Sequence, residues 1–156
     1  DFGLVFGAVD EARYEEITIP YQDTWGVFMR RDSPLAEKAT ITAEDLMDKP
    51  LIFSRQAFRN QEFRKFFPCG QESLNIVATY NLLFNGSLMV EEGMGYAVSF
   101  DKIINLSGNR ALCFRPLEPP LKANMHVIWK KYQVFTKAAE KLLRKLQEIL
   151  EDAAES

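Results

Sequence analysis

The fold of this chain is constrained most by one stretch, residues 73–100, with the sequence SLNIVATYNLLFNGSLMVEEGMGYAVSF. It opens with a run rich in β-branched residues that ends at Thr79, which is typical of a buried parallel strand. Apolar residues then recur at helical spacing, with Asn81 placed to cap the helix and the glycines of GMG placed to end it. Residues 96–100 resume as a strand. The stretch therefore predicts a β-α-β unit.

The start of the predicted helix is the first candidate site. In open α/β sheets, ligands bind outside the carboxyl ends of the strands, beside helix N-termini whose N–H groups attract anions. Thr79, Tyr80 and Asn81 are therefore predicted at the mouth of a small-molecule site. The alternative for Asn81 is that it acts only as the helix cap.

A matching corner follows the apolar run LIF, where Ser54, Arg55 and Gln56 precede a predicted helix over residues 58–67. An Arg fork, backbone N–H groups and a helix dipole can together bind a carboxylate. The alternative is a solvated loop in which Arg55 pairs with surface acids. Trp25 is interpreted as hinge or core packing rather than as a ligand platform.

Composition limits the classes of function. The chain has 156 residues, is 47% hydrophobic and carries a net charge of −3. These values fit one ordinary domain or two small lobes and argue against disorder. The acidic balance provides no electrostatic footprint for nucleic acid. Cys69 and Cys113 could form at most one internal disulfide. Their default interpretation is two free thiols in a reducing compartment.

Motifs for catalysis or cofactor binding are missing from the sequence. It contains no G-x-G-x-x-G, no P-loop and no G-x-S-x-G. His126 is the only histidine and has no cysteine near it in sequence, so neither a zinc cluster nor a Cys–His pair is predicted. We therefore expect no enzymatic activity, no metal and no cofactor.

The order of elements predicts two lobes. Strands and helices alternate through the middle of the chain, and we expect the chain to cross between lobes near residues 20–24 and to return near residues 99–102. Strands are predicted over residues 14–19 and 25–29, joined by a polar link. A long amphipathic helix is predicted from residue 135 to about 152.

Four segments of the chain, taken in order, resemble the effector-binding domain of LysR-type transcriptional regulators. Three of them are DTWGVFMRRDSPLA, TAEDLMDKPLIFSRQ and LNIVATYNLLFNGSLMVEEGMGYA. The fourth, LCFRPLEPPLKANMHVIWKKYQVFTKAAEKLL, is similar to the closing strands and helix of that domain. The resemblance covers roughly residues 1–150, and the order and spacing of the segments are more specific than any one of them.

The resemblance implies an α/β fold of the type II periplasmic-binding-protein kind, with two Rossmann-like three-layer subdomains. Residues 21–100 would form the complete subdomain II. Residues 1–20 and 101–156 would form part of subdomain I, with its upstream half and the winged helix-turn-helix domain absent. The chain begins inside an apolar strand, DFGLVFG, so we expect it to be cut from a longer protein.

The resemblance also implies a function. The domain would sense a small, anionic effector in the cleft between the lobes and so control transcription through a DNA-binding domain outside this chain. The residues predicted to bind the effector are Ser54, Arg55, Gln56, Thr79, Tyr80, Asn81 and Phe100. The family implies self-association, as dimers or as tetramers of the full-length protein, in the cytoplasm and away from membranes. The alternative is a solute-binding protein of the same fold that serves transport.

Overall fold

The computed structural model describes residues 2–7, 9–57, 61–68, 70–107 and 111–154. Within them the chain forms a mixed arrangement of strands and α-helices. The strands are β1 (Gly3–Phe6), β2 (Tyr14–Arg30), β3 (Leu51–Ser54), β4 (Ile76–Tyr80), β5 (Tyr96–Phe100), β6 (Leu112–Pro116) and β7 (Lys122–Lys130). The helices are α1 (Ala43–Leu46), α2 (Gln61–Phe66), α3 (Leu83–Glu91) and α4 (Lys137–Ala154). None of the helices in this part of the chain is both long and apolar enough to cross a membrane.

The chain divides into two compact units. Unit 1 comprises residues 1–22 and 123–156, and unit 2 comprises residues 23–122. The first boundary lies within the predicted crossing at residues 20–24. The second boundary differs from the predicted return at residues 99–102, because β6 pairs with β2 and Ile104 is buried in the core of unit 2. The correspondence of these units to the two subdomains of the family stays a prediction.

Unit 2 contains the predicted β-α-β unit. Its strands follow the order β2-β5-β3-β4, with β6 on the other side of β2. β3 lies between β4 and β5 and runs parallel to both, as expected when α3 carries the chain across the sheet. β2 is antiparallel to β5, and Trp25 lies opposite Phe100. The observed β4-α3-β5 order confirms the prediction for residues 73–100.

Each face of the unit 2 sheet carries its own apolar core. Alternate residues of a strand point to opposite faces, so Trp25 and Phe28, three residues apart, lie on different faces. The α3 face carries Phe28, Ile52, Tyr80, Leu83, Val90, Ala97, Ile104 and Leu112. The α2 face carries the aromatic cluster, which we define as Trp25, Phe53, Phe63, Phe67 and Phe100. Helix, sheet and helix therefore form the three layers expected of a Rossmann-like subdomain.

The observed strand β2 differs from the prediction for residues 14–29. Residues 14–30 form one continuous strand, whereas two strands and a polar link had been predicted. The polar residues stay extended because β7 pairs with this part of β2, and Gln22 Nε2 donates to Asn124 Oδ1 of β7 at 3.0 Å. Thr18 Oγ1 similarly lies 3.2 Å from Nδ1 of His126. Pairing with a distant strand overrides the local composition.

Unit 1 combines a small sheet with the terminal helix. β1 pairs antiparallel with β7, which lies beside β2. In α4 Ala139 is buried, whereas Leu142 is 59% exposed and Ile149 is 53% exposed. The predicted long helix is confirmed, but these apolar positions, which its periodicity had predicted to lie inward, remain largely in contact with solvent.

A capping box begins α1. The Asp45 N–H donates to Thr42 Oγ1 at 3.4 Å, and the Asp45 carboxylate accepts from the Thr42 N–H at 3.1 Å. The short helix is therefore closed at its start by its own side chains.

Candidate effector site

The two predicted corners meet at one edge of the unit 2 sheet. β3 and β4 are parallel and end level with each other, with Ser54 opposite Tyr80. Beyond the strands, the Arg55 N–H donates to the Tyr80 carbonyl at 3.2 Å. β5 is parallel to β3 and ends at Phe100, so three strands present their carboxyl ends together. This is the edge at which open α/β sheets bind ligands.

The first corner is a tight turn that leaves its longer side chains in solvent. Ser54 Oγ accepts a hydrogen bond from the Gln56 N–H at 3.2 Å, which shapes the turn. The side chains of Arg55 and Gln56 are exposed, and Ser54 is partly exposed. The residues that follow, 58–60, lie outside the described residues. A cationic fork and an amide are therefore accessible at the end of β3.

The second corner differs from the prediction at Asn81. Helix α3 has Leu82 as its N-cap, with extended backbone (φ −113°, ψ 128°) and no side-chain hydrogen bond to the first turn. The chain stays extended for one residue more than expected, so Asn81 lies too early to cap the helix, and the predicted cap is wrong. Asn81 and Thr79 are exposed. The N-cap residue of α3 thus provides no side-chain acceptor for the N–H groups of the first turn.

Tyr80 belongs to the core rather than to the exposed part of this edge. Its side chain is 5% exposed, and its hydroxyl donates to the Val98 carbonyl at 2.9 Å. A Cβ added at Gly86 of α3 would lie 2.8 Å from Cδ1 of the Tyr80 ring, so Gly86 permits a close contact between this helix and the sheet. Burial raises the pKa of Tyr80 to about 12, offset in part by a hydrogen bond with Ser99. The Tyr80 side chain is therefore turned into the core and its carbonyl reaches the edge, while the effector contact predicted for Tyr80 stays a prediction.

We expect Tyr80→Phe to lower the free energy of unfolding by about 1 kcal/mol, because one buried hydrogen bond is lost. The raised pKa stabilises the fold fully below pH 10, and this contribution is lost as the pH rises from 10 towards 12, since the unfolded state releases the proton first. Urea unfolding at pH 7 and at alkaline pH measures both effects. Effector affinity should stay unchanged; a large loss of affinity would contradict the structural role of this tyrosine.

Phe100 and Trp25 form the part of the edge nearest β2. Their ring centroids are 4.2 Å apart, and Trp25 also stacks on Phe63 at 4.5 Å. Phe100 is 9% exposed and Trp25 is 4% exposed, so both are mainly core residues, as the sequence interpretation of Trp25 anticipates. Within the described residues, the buried Trp25 Nε1–H has no hydrogen-bond acceptor. The sequence could not predict this environment of the Trp25 N–H, because residues distant in sequence surround the indole.

Acidic side chains join β2 to the end of β5. The Asp101 carboxylate accepts the Thr24 N–H at 2.8 Å, and the Asp101 N–H donates to the Thr24 carbonyl at 2.9 Å. Asp23 beside them is buried, and burial followed by the charge of Asp101 raises its pKa, with Lys102 acting in the opposite direction. The two hydrogen bonds between Thr24 and Asp101 hold the strand ends together.

Among the described residues, no group of three or more His, Cys, Asp and Glu side chains is placed to hold a metal ion. Cys113 is a free, buried thiol. Cys69 lies outside the described residues.

The chain matches a known family over nearly its whole length. Residues 1–151 match the family model described as the LysR substrate binding domain. The chain belongs to this family. No curated protein matches the chain.

Solved structures place this LysR domain among regulatory domains of the same fold. The CcmR regulatory domain of Synechocystis PCC6803 in complex with 2-PG has a TM-score of 0.75 and 18% identity, over 96% of this chain and 73% of that chain. HinK, a LysR family transcriptional regulator from Pseudomonas aeruginosa, has a TM-score of 0.74 and 16% identity, over 96% of this chain and 53% of that chain. Full-length OxyR from Pseudomonas aeruginosa has a TM-score of 0.70 and 20% identity, over 85% of this chain and 47% of that chain.

These structural similarities establish the fold. The share of each solved chain that is covered shows how much of that chain the present sequence matches. This chain spans about half the length of the HinK and OxyR chains. The α/β architecture of the type II periplasmic-binding-protein kind is therefore confirmed.

Proposed function

We propose that this LysR domain senses a small anionic molecule at the edge of unit 2 where β3, β4 and β5 end. The observation that carries the proposal is the Arg55–Tyr80 backbone hydrogen bond, which joins the two predicted corners into one surface. The family match supports the effector-sensing role, and the solved complex of CcmR with 2-PG supports a ligand of small size.

The chemistry of this edge favours an anion. Arg55 supplies a permanent positive charge with donors in a fork that matches a carboxylate or phosphate. The start of α3 adds N–H groups that no side chain caps. The exposed polar side chains that can complete the hydrogen bonds are Ser54, Gln56, Thr79 and Asn81. Phe100 contributes an apolar wall through its exposed part.

Ligand binding at this edge would shift the domain between two conformations, and the shift would reach a DNA-binding domain elsewhere in the full-length regulator. Self-association, cytoplasmic location and the absence of enzymatic activity belong to this same proposal. The family match and the regulators among the solved structures favour it over the solute-binding protein predicted as the alternative.

We expect Arg55→Ala to weaken effector binding about tenfold or more, because a hydrogen bond to a charged group contributes about 1.5–3 kcal/mol. A thermal-shift screen of small carboxylates and phosphates, 2-PG included, identifies a ligand through its stabilisation of the folded state, and calorimetry then measures the Kd. Arg64→Ala removes the same charge from the exposed face of α2 and should leave the Kd unchanged. Equal affinity of the Arg55→Ala variant and the original chain would refute the anion site.

A further inference from the structure

The Trp25 indole N–H is a buried hydrogen-bond donor. The side chain is 4% exposed, and within the described residues Nε1–H has no hydrogen-bond partner. Leaving a buried donor unsatisfied destabilises a fold, so such groups call for a partner outside the chain or an ordered water. The rings that stack on the indole, Phe63 and Phe100, are apolar. A buried water needs two to four polar partners, and these rings provide none.

Strand register places the Trp25 backbone at the candidate effector site. Trp25 lies opposite Phe100, the last residue of β5. Arg55 directly follows β3, which runs parallel to β5, so Trp25, Phe100 and Arg55 belong to the same edge of the sheet. Neighbouring strands are about 4.8 Å apart, so β2 and β3, which lie on either side of β5, are separated by about 10 Å.

We infer that the Trp25 Nε1–H is a specificity donor for the effector, and that it binds an uncharged oxygen while Arg55 binds the anionic group. This inference rests on the proposed function, because both groups lie on the same edge. It also narrows the class of ligand to a small acid that carries a carbonyl or similar oxygen beyond its charged group.

The oxygen at the Trp25 end is uncharged for a physical reason. Transfer of a carboxylate into apolar surroundings is costly unless several donors or a cation accompany it. The indole offers one donor, and its ring neighbours offer no charge. A ketone, ester or amide oxygen loses far less hydration there and still satisfies the N–H.

Three probes test the inference on the 156-residue chain. They are 4-oxopentanoate, which carries a carboxylate and a ketone; pentanoate, which lacks the ketone; and 2-pentanone, which lacks the carboxylate. We expect 4-oxopentanoate to bind about three- to tenfold more tightly than pentanoate, which is the contribution of one neutral hydrogen bond. The chain has two tryptophans. In a spectrum of the ¹⁵N-labelled chain, the indole N–H signal of Trp25 should move with 4-oxopentanoate, and that of Trp129 should stay in place.

Two variants separate the two contacts. Trp25→Phe removes the donor and should abolish the preference for 4-oxopentanoate over pentanoate. In the spectrum of this variant, the one remaining indole N–H signal is that of Trp129. Arg55→Ala should retain this preference and abolish the preference for 4-oxopentanoate over 2-pentanone. If Trp25→Phe fails to fold, the ratio of affinities and the indole signal of the unaltered chain still decide the question.

Each outcome has one meaning. Equal affinities for 4-oxopentanoate and pentanoate, with both weakened by Arg55→Ala, overturn the role of Trp25 and leave the proposed function intact. A preserved ketone preference with no effect of Arg55→Ala overturns the anion site and keeps the Trp25 contact. If none of the probes binds at 10 mM, the inferred class of ligand is wrong, and the thermal-shift screen then decides the proposed function by itself.

Discussion

Replacing Phe28 by alanine should lower the free energy of unfolding by about 3–5 kcal/mol. Phe28 is 0% exposed, belongs to the core on the α3 face and lies 5.0 Å from the Phe114 ring. Truncation removes the buried ring and leaves a cavity that two paired strands cannot close. Since whole domains are stable by about 5–15 kcal/mol, this single change removes a large share of the stability. Urea unfolding followed by near-ultraviolet circular dichroism measures it.

Phe84→Ala is the matched control for Phe28→Ala. It makes the same substitution in α3, at a ring that is 54% exposed. Its cost should stay below about 1 kcal/mol, because little apolar area returns to water. Similar costs at the two positions would show that the α3 face is not the principal core of unit 2.

Gly26→Ala should destabilise the fold by about 3 kcal/mol, the upper end for overpacking a core. An added Cβ would clash with the Phe114 ring and with the Arg115 carbonyl oxygen. Both neighbours belong to β6, which pairs with β2 at this position, so the backbones of the two strands must separate. Thermal and urea unfolding measure the loss.

Two further variants identify steric contact as the cause. At Gly93 nothing lies within 4 Å of an added Cβ, but φ is +79°, so Gly93→Ala should cost only the backbone strain of about 1–2 kcal/mol. Adding Phe114→Ala to Gly26→Ala removes the clash with the ring and keeps the clash with the Arg115 carbonyl, so the double variant should recover little stability. Full recovery of stability in the double variant would show that the clash with the Phe114 ring causes the entire loss.

Local features of the candidate site follow from the sequence. The β-branched run before Thr79 and the helical period after it depend on neighbours within a few residues, so the β4-α3-β5 unit is predictable. Parallel strands bring their carboxyl ends to one edge, which is why the corners containing Ser54 and Tyr80 meet as expected. That Ser54, Arg55, Gln56, Thr79, Tyr80, Asn81 and Phe100 bind an effector stays a prediction.

Features of the site that change when a strand or a helix start shifts by one residue were not predictable from the sequence. Successive residues of a strand face opposite sides, so Thr79 is exposed while Tyr80 points into the core, and a single position decides between contact with ligand and burial. The shift of the α3 cap from Asn81 to Leu82 is of the same kind.

The sequence by itself determined the α/β class, the family, the central β-α-β unit and the two polar corners, because these depend on short-range periodicity and on the order of segments. Only the tertiary structure decided that β2 continues through its polar part, that the second unit extends to Lys122, and that the Trp25 donor is buried with no acceptor among the described residues. Each of these depends on strands far apart in the chain: β7 pairs with β2, β6 returns to β2, and Phe100 closes over Trp25. The hydrophobic period of a segment does not indicate which distant strand it pairs with, so these pairings are known only from the assembled sheet.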